Sequence, residues 1–281
     1  MRFFSITKPG IIFGNGVTAA GGFFLGFHPP FSFLSFFAML VGLSLVIACG
    51  CVFNNLIDQD IDGLMRRTQN RVLVKGLIAR PTAFVYGLIL GLLGFILLYL
   101  MSGILATAFA FLGWFFYVVV YSLSLKRNSN YGTLIGAIAG AVPPVVGYCA
   151  ATQRFDLGAV LFFVILFLWQ MPHFYAIAMY RLKDFKAASI PVLPLQKSLA
   201  YTRRSIMAYI FVFTLASASP TYFGYAGPMY GVVALALGIL WFVMGIAGFR
   251  EQADGPWARK MFLFSIVNIT VLCFAVLLKG F

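Results

Sequence analysis

LSFFAMLVGLSLVIACGCVFNNLIDQDID, residues 34–62, is a long apolar run that ends in an acidic turn of chain. A bilayer core is crossed by ~20 mostly apolar residues in a helix, and residues 34–54 meet that length. The polar end then reads Asn54-Asn55-Leu56-Ile57-Asp58-Gln59-Asp60-Ile61-Asp62, followed by Gly63-Leu64-Met65-Arg66-Arg67-Thr68-Gln69-Asn70-Arg71. The chain has only seven acidic residues, and Asp58, Asp60 and Asp62 are three of them. On a helix Asn54, Asp58 and Asp62 are spaced i, i+4, i+8 and share one face. One amide oxygen and two carboxylates on a face suit Mg²⁺, which is held by one or two carboxylates and completed by a substrate's phosphates. A polar helix cap accounts for one aspartate, but poorly for two aspartates and an asparagine together.

The whole chain has the same character. It is 62% hydrophobic and 10% charged, against about 25% charged in soluble domains. It is therefore an all-α polytopic membrane protein, expected to form one integral-membrane domain over residues 1–281. The net charge of +13 is assigned mainly to the excess of Lys and Arg in cytoplasmic loops. No aromatic–basic interleaving accompanies it, so nucleic acid is not an expected partner. Cys49, Cys51, Cys149 and Cys273 all lie in apolar runs and are read as buried thiols with no disulfide. No Arg/Ser-rich transit peptide is evident, so a bacterial inner membrane is the expected location.

Nine spans are predicted at roughly 9–27, 34–54, 81–101, 104–122, 131–151, 158–180, 205–219, 227–248 and 262–279. His28-Pro29-Pro30, Ser102-Gly103, Gln153–Asp156 and Tyr225–Pro228 separate some of them. With the N-terminus in the cytoplasm and the C-terminus in the periplasm, 18 of the 20 Lys and Arg residues fall in cytoplasmic segments, leaving Arg154 and Lys279. The long loops after spans 2 and 6 recur with a four-span period, which suggests two related four-helix halves with a ninth helix added. Gly87, Gly91 and Gly94 form one small-residue face and Gly132, Gly136 and Gly140 another, as packed membrane helices use. Pro143-Pro144 and Pro172 lie inside spans, where each removes a backbone donor; both a kink opening a cavity and simple bending fit.

A second polar cluster is Trp169-Gln170-Met171-Pro172-His173-Phe174, running on to Tyr180-Arg181-Leu182-Lys183-Asp184-Phe185. Trp169, His173, Tyr180 and Asp184 follow an i, i+4, i+11, i+15 stripe expected on one helical face. An imidazole in a span is costly unless it meets a partner or a cavity, so His173 is either a satisfied interior residue or one that touches substrate or handles a proton. Asp184 has Ala188 four residues on rather than a second carboxylate. Tyr121-Ser122-Leu123-Ser124-Leu125-Lys126-Arg127 sets two cations at the end of span 4, as a loop anchor or as a clamp for phosphate oxygens.

With these residues the chain resembles the intramembrane aromatic prenyltransferase superfamily. Asn54, Asp58 and Asp62 match its Asn-x-x-x-Asp-x-x-x-Asp signature. Arg67-Thr68-x-x-Arg71 fits the segment after it, and Tyr121, Ser122, Lys126 and Arg127 fit the element after helix 4. Trp169–Phe174, Tyr180–Asp184, Ile190–Pro194, Asn70–Leu73 and Gly140–Pro144 are similar to the branch that farnesylates haem. That branch shares the replacement of the second signature's last aspartate, here Ala188. The similarity runs from about residue 5 to the last span.

The resemblance implies nine helices around a central cavity open to the cytoplasm and to lipid. It implies transfer of farnesyl from farnesyl diphosphate to a vinyl group of haem B, with water, giving haem O. Asn54, Asp58, Asp62 and Asp184 would hold Mg²⁺. Arg67, Arg71, Tyr121, Ser122, Lys126, Arg127 and Trp169 would bind substrate. Asp58, Asp62, Asp184, His173 and Tyr180 would serve catalysis. Farnesyl diphosphate, haem B and membrane lipid are the expected partners, with haem A synthase or a terminal oxidase receiving the product. A quinone or chlorin acceptor on the same fold is the nearer alternative. A transporter is the more distant one, disfavoured because the acidic residues sit at span ends rather than span centres.

Overall fold

The computed structural model describes residues 1–27, 32–129, 131–249 and 254–278. The predicted His28-Pro29-Pro30 turn, Arg250 and Lys279 lie outside them. Among the described residues the regular structure is entirely helical. A short α1 (Arg2–Ile6) leads to α2 (Pro9–Gly26), where Lys8 takes a left-handed conformation (φ 55°) and Pro9 opens the helix. Proline suits that first position, where its missing N–H has no partner to lose. Ser32 caps α3 (Phe33–Ile57) by accepting from the Ser35 amide at 3.2 Å. The short α4 (Gln59–Leu64) follows, and then α5 (Arg80–Phe115), which runs on as a π-helix over Phe116–Leu125.

The second part comprises α6 (Gly132–Thr152), α7 (Leu157–Tyr180), α8 (Leu182–Ala187), α9 (Leu193–Gln196), α10 (Leu199–Tyr222), α11 (Pro228–Ala247) and α12 (Asp254–Ala275). Among the described residues, seven helical stretches are long and apolar enough to cross a membrane: Phe33–Ile57, Arg80–Leu125, Gly132–Thr152, Leu157–Tyr180, Leu199–Tyr222, Pro228–Ala247 and Asp254–Leu278. The chain is thus a multi-pass membrane protein. Its outward faces carry bare aliphatic side chains, such as Leu88, Leu92 and Leu100 on α5 and Val232, Ile239 and Val243 on α11.

Three sequence expectations meet the structure here. The predicted spans 81–101 and 104–122 fall on either side of Gly103 (φ 85°, ψ 172°), where the helical run Arg80–Leu125 breaks and the chain doubles back, bringing the Phe95 and Phe111 rings within 6.1 Å of each other. Gly103 is needed twice over. Its φ disfavours a side chain, and a Cβ there would lie 2.2 Å from Gln153 Oε1. Gln153 in turn donates to the Ser102 carbonyl at 2.9 Å, satisfying an acceptor released by the break. Second, α10 begins at Leu199 and α12 at Asp254 rather than at 205 and 262, so Arg203, Arg204, Arg259 and Lys260 are helical. Ser198 caps α10 through the Tyr201 amide at 3.1 Å. Hydropathy sees only the apolar core of a span and misses such polar first turns. Third, α7 stops at Tyr180, so Asp184 sits on the separate helix α8 and the four-residue stripe is not one helical face.

Small residues set the closest helix contacts. Gly91 and Gly94 press α5 against α3, as the predicted Gly87–Gly94 face requires. The other predicted face divides between two neighbours: Gly136 meets the Tyr121 ring and Gly140 meets Gln170. Pro144 lies where α6 crosses α2, its carbonyl against Gly22. The four cysteines are buried and free. One extended apolar core joins α2, α3, α5, α6, α7, α10, α11 and α12. Two smaller clusters hold the polar loops. Leu73 and Ile78 pack on Ile6, Val52, Leu56 and Ala83, and Ile61 and Met65 pack on Ala178, Ala188, Ile190 and Val192. The loop after α3 is thereby anchored to the loop after α7.

Candidate active site

The end of α3 supplies the centre of the site. Asp58 interrupts the helix at ψ 4°, yet the Asp58 amide still donates to Asn54 O at 2.9 Å and the Asp62 amide to Asp58 O at 2.8 Å. The four-residue step read from the sequence therefore survives the break. Asp58 is 0% exposed and Asp62 2% exposed. Carboxylates so placed are held only if charges and hydrogen bonds meet them.

Asn54 Nδ2 donates to Asp58 Oδ2 at 2.8 Å and to Ser122 Oγ at 3.0 Å. Lys126 forms an ion pair with Asp58 Oδ2, and Arg71 one with Asp62 Oδ2. Lys8 reaches Asn54 Oδ1 from the turn before α2. Burial brings the Lys8 ammonium down to about 8, and the nearby Arg71 and Lys126 push the same way. Among the described residues Asp58 Oδ1 is buried with no hydrogen-bond partner, and Arg127 Nη2 lies 4.0 Å from it.

The π-helix carries Tyr121 and Ser122 to this centre. Its wider turn is visible in the bond from the Lys126 amide to Tyr121 O at 2.9 Å, and in Ser122 Oγ donating to Tyr117 O at 2.8 Å. Single-turn π-bulges are often found at functional sites, and this segment is ten residues long. Lys126 Nζ also lies 5.9 Å from the centre of the Tyr121 ring. Arg127 turns its fork to Asp60, with two bonds of 2.7 Å, and to the Ile57 carbonyl at 2.7 Å. Hydrogen bonds from Arg127 hold the Asp60 carboxyl down to about 2.

Asp184 approaches from α8 and accepts from the Arg66 amide at 3.1 Å, so the two long loops meet in the fold. Among the described residues, no three His, Cys, Asp or Glu side chains form one group able to hold a metal. Arg67 is exposed at the edge of this region. Arg181 lies 4.5 Å and Arg259 5.8 Å from the centre of the Tyr180 ring. Trp169 and His173 form a separate group against α12. Trp169 Nε1 donates to Ser265 O at 2.8 Å, and His173 Nδ1 lies 2.6 Å from Ser265 Oγ. The two rings stack at 4.6 Å.

Three members of this arrangement escape sequence reading. Lys8 is far from its partner in the chain, and nothing local marks it. Asp60 lies off the Asn54–Asp58–Asp62 face, and its value appears only through Arg127. Ser265 is a lone hydroxyl in an apolar span, a weak signal for any role.

The two cationic pairs differ in burial, and this gives a stability prediction. Lys126→Met leaves the fully buried Asp58 carboxylate without its ion pair, and such losses cost about 3–5 kcal/mol. Arg127→Ala breaks a pair whose aspartate is 65% exposed, worth about 1 kcal/mol or less, and also loses the bond to Ile57 O and the longer 4.0 Å pairing with Asp58, so its total stays below that of losing Lys126. Thermal unfolding in detergent is expected to show a clear drop for the first variant and a small one for the second.

A model of the UbiA prenyltransferase family matches residues 15–267. A protohaem IX farnesyltransferase of Serratia proteamaculans is 52% identical over 271 residues, covering 96% of this chain and 92% of that protein. One from Yersinia enterocolitica is 51% identical with the same coverage. Among solved structures, a UbiA homologue from Aeropyrum pernix K1 superposes with a TM-score of 0.76 at 17% identity, covering 97% of this chain and 98% of that one. A UbiA homologue from Archaeoglobus fulgidus bound to GPP and Mg²⁺ gives 0.74 at 15% identity, covering 98% and 99%.

Proposed function

The chain belongs to the UbiA prenyltransferase family, and from that premise we propose that it transfers a farnesyl group from farnesyl diphosphate to a vinyl group of haem B, with water, giving haem O and diphosphate. Relatives at 52% and 51% identity that carry the name protohaem IX farnesyltransferase support this choice of substrates. The observation that carries the chemistry is the buried Asn54–Asp58–Asp62 face at the end of a membrane helix, ringed by Lys8, Arg71 and Lys126.

The residues suit Mg²⁺. The donors are hard oxygens, and Asp58 Oδ1 is a buried carboxylate oxygen with no hydrogen bond. Asn54, Asp58 and Asp62 would hold the ion, with Asp184 offering an oxygen from the other loop. When bound, Mg²⁺ neutralises charge on the diphosphate and makes it a better leaving group. Arg67, together with Arg71, Lys126 and Arg127 as they exchange their aspartate partners for phosphate oxygens, binds the diphosphate and stabilises the negative charge that grows as the C–O bond breaks. Ser122 and Tyr121 position Asn54 and Lys126 for this.

Positive character then develops on the allylic carbon of farnesyl. The vinyl group's terminal carbon attacks it, water captures the cation left beside the porphyrin, and a proton is released. Trp169 and Tyr180 present aromatic faces suited to cationic character. Trp169, His173 and Tyr180 line the acceptor side in this reading.

We read the fold as one integral-membrane domain of nine crossings. The break in Arg80–Leu125 at Gly103, with the Phe95 and Phe111 rings 6.1 Å apart across it, supports two crossings there. The 18-residue α2 supports one more. The bond from the Arg66 amide to Asp184 supports the two halves meeting at the site. The site loops and N-terminus would face the cytoplasm of a bacterial inner membrane. Haem A synthase or a terminal oxidase would take the product.

The test is diphosphate release by purified protein given haem B and farnesyl diphosphate. Release is expected with Mg²⁺, is expected to vanish with EDTA, and is expected to return when Mg²⁺ is restored. Full release in EDTA would remove the metal from the proposal.

A further inference from the structure

We infer that His173 holds the acceptor porphyrin, its Nε2 serving as an axial ligand to the haem iron while Ser265 fixes the ring for that task. The inference rests on the reading of haem as substrate given above.

The hydrogen-bond chain assigns the tautomer. Ser265 Oγ lies 2.6 Å from the Phe262 carbonyl, which can only accept. A hydroxyl has one proton to give, and that proton is used there. His173 Nδ1, 2.6 Å from the same oxygen, must therefore be the donor. A neutral imidazole protonated at Nδ1 carries its lone pair on Nε2. Among the described residues Nε2 has no hydrogen-bond partner, and the half-buried ring is not sealed.

The ring is also clamped. Trp169 stacks on it at 4.6 Å and 26°, and the indole is itself tied to Ser265 O. Phe262 lies 5.0 Å away and Phe174 5.6 Å away. Metal-ligating histidines almost always donate their other ring N–H to an oxygen, which sets both tautomer and orientation.

A base that activates water would need a different setting. A bound water wants two to four polar partners, whereas the ring neighbours here are aromatic and the Ser265 hydroxyl has already given its one proton. Seven residues separate His173 from Tyr180, roughly 10 Å along α7. That depth sets an acceptor inward of the polar loops. A single neutral ligand also suits a haem that must leave after reaction.

The experiment is titration of ferric haem B into full-length protein in detergent, followed by Soret absorption and electron paramagnetic resonance, with turnover measured in parallel. Wild type is expected to show a histidine-ligated spectrum. His173→Gly should lose that signature and bind haem at least about 10-fold more weakly, and added imidazole should restore the signature. His173→Met, which keeps the side-chain bulk, should change the ligand signature without abolishing binding. Ser265→Ala should keep histidine ligation with affinity reduced about 10-fold, the lower end for loss of a ligand's supporting partner. An unchanged spectrum and affinity in His173→Gly and His173→Met would overturn the inference. So would lost turnover with the spectrum intact, which would make His173 a proton carrier. Wild type that prenylates another acceptor and binds no haem would instead overturn the haem reading itself.

Discussion

Asp58→Asn is expected to leave the protein folded and to slow diphosphate release by about 100-fold or more, the range for removal of one preorganised electrostatic element. The amide is nearly the same size as the carboxylate. Its oxygen can take the place of Oδ2, where Asn54 donates at 2.8 Å and Lys126 pairs. Its NH₂ then falls at Oδ1, the buried oxygen with no hydrogen bond. What is lost is one negative charge at the point where a cation and a diphosphate must be drawn together. The change also takes the buried ion pair from Lys126, so melting is expected to fall as it does for Lys126→Met, while the hydrogen bonds to the amide oxygen keep the site assembled. The measurement is the rate at saturating Mg²⁺ and farnesyl diphosphate, with thermal unfolding run beside it. A rate within threefold of wild type would move the cation site away from Asp58. A larger loss from Asp62→Asn than from Asp58→Asn would shift its centre toward Arg71.

Gly147→Leu is expected to abolish folded protein. A Cβ at Gly147 would lie 1.9 Å from the Ala19 carbonyl oxygen, and one at Gly22 would lie 1.9 Å from the Pro144 carbonyl oxygen. The backbones of α2 and α6 thus cross with each helix's glycine against the other's carbonyl. Neither obstacle is a flexible side chain that could turn away, so the helices must separate. Overpacking a well-packed core costs about 1–3 kcal/mol and occasionally more. Separating a helix pair at its closest point belongs at or beyond the upper end. A Cβ at Gly14, on α2, would meet nothing within 4 Å. Gly14→Ala is therefore expected to be neutral or mildly stabilising, since glycine within a helix costs about 0.5–1 kcal/mol relative to alanine. Size-exclusion chromatography of the two variants in detergent separates these outcomes. A monodisperse Gly147→Leu protein with wild-type melting would contradict the crossing.

The helical period made the central face readable. Asn54, Asp58 and Asp62 kept their four-residue step because the backbone bonds continue past the Asp58 bend. The partners of that face were not readable. Lys8 comes from before α2, and Arg127 spends its fork on Asp60. Such pairings depend on how helices are arranged around the site, which no local pattern encodes. The π-helix over Phe116–Leu125 left no mark in the hydropathy, since it changes the turn and not the composition. The stripe from Trp169 to Asp184 failed for a related reason. Its spacing fits a helix, but α7 stops at Tyr180, and Asp184 turns to the Arg66 amide instead. The proposed acceptor side includes Ser265, whose place beside His173 no local pattern marks.

The mass of the pigment formed tests the central claim most directly. Purified wild-type protein supplied with haem B, farnesyl diphosphate and Mg²⁺ is expected to yield haem heavier by one farnesyl group and one hydroxyl, with one equivalent of diphosphate released. In ¹⁸O-labelled water the new oxygen should carry the label. Unchanged haem, together with prenylation of a quinone or chlorin precursor by the same preparation, would contradict the account.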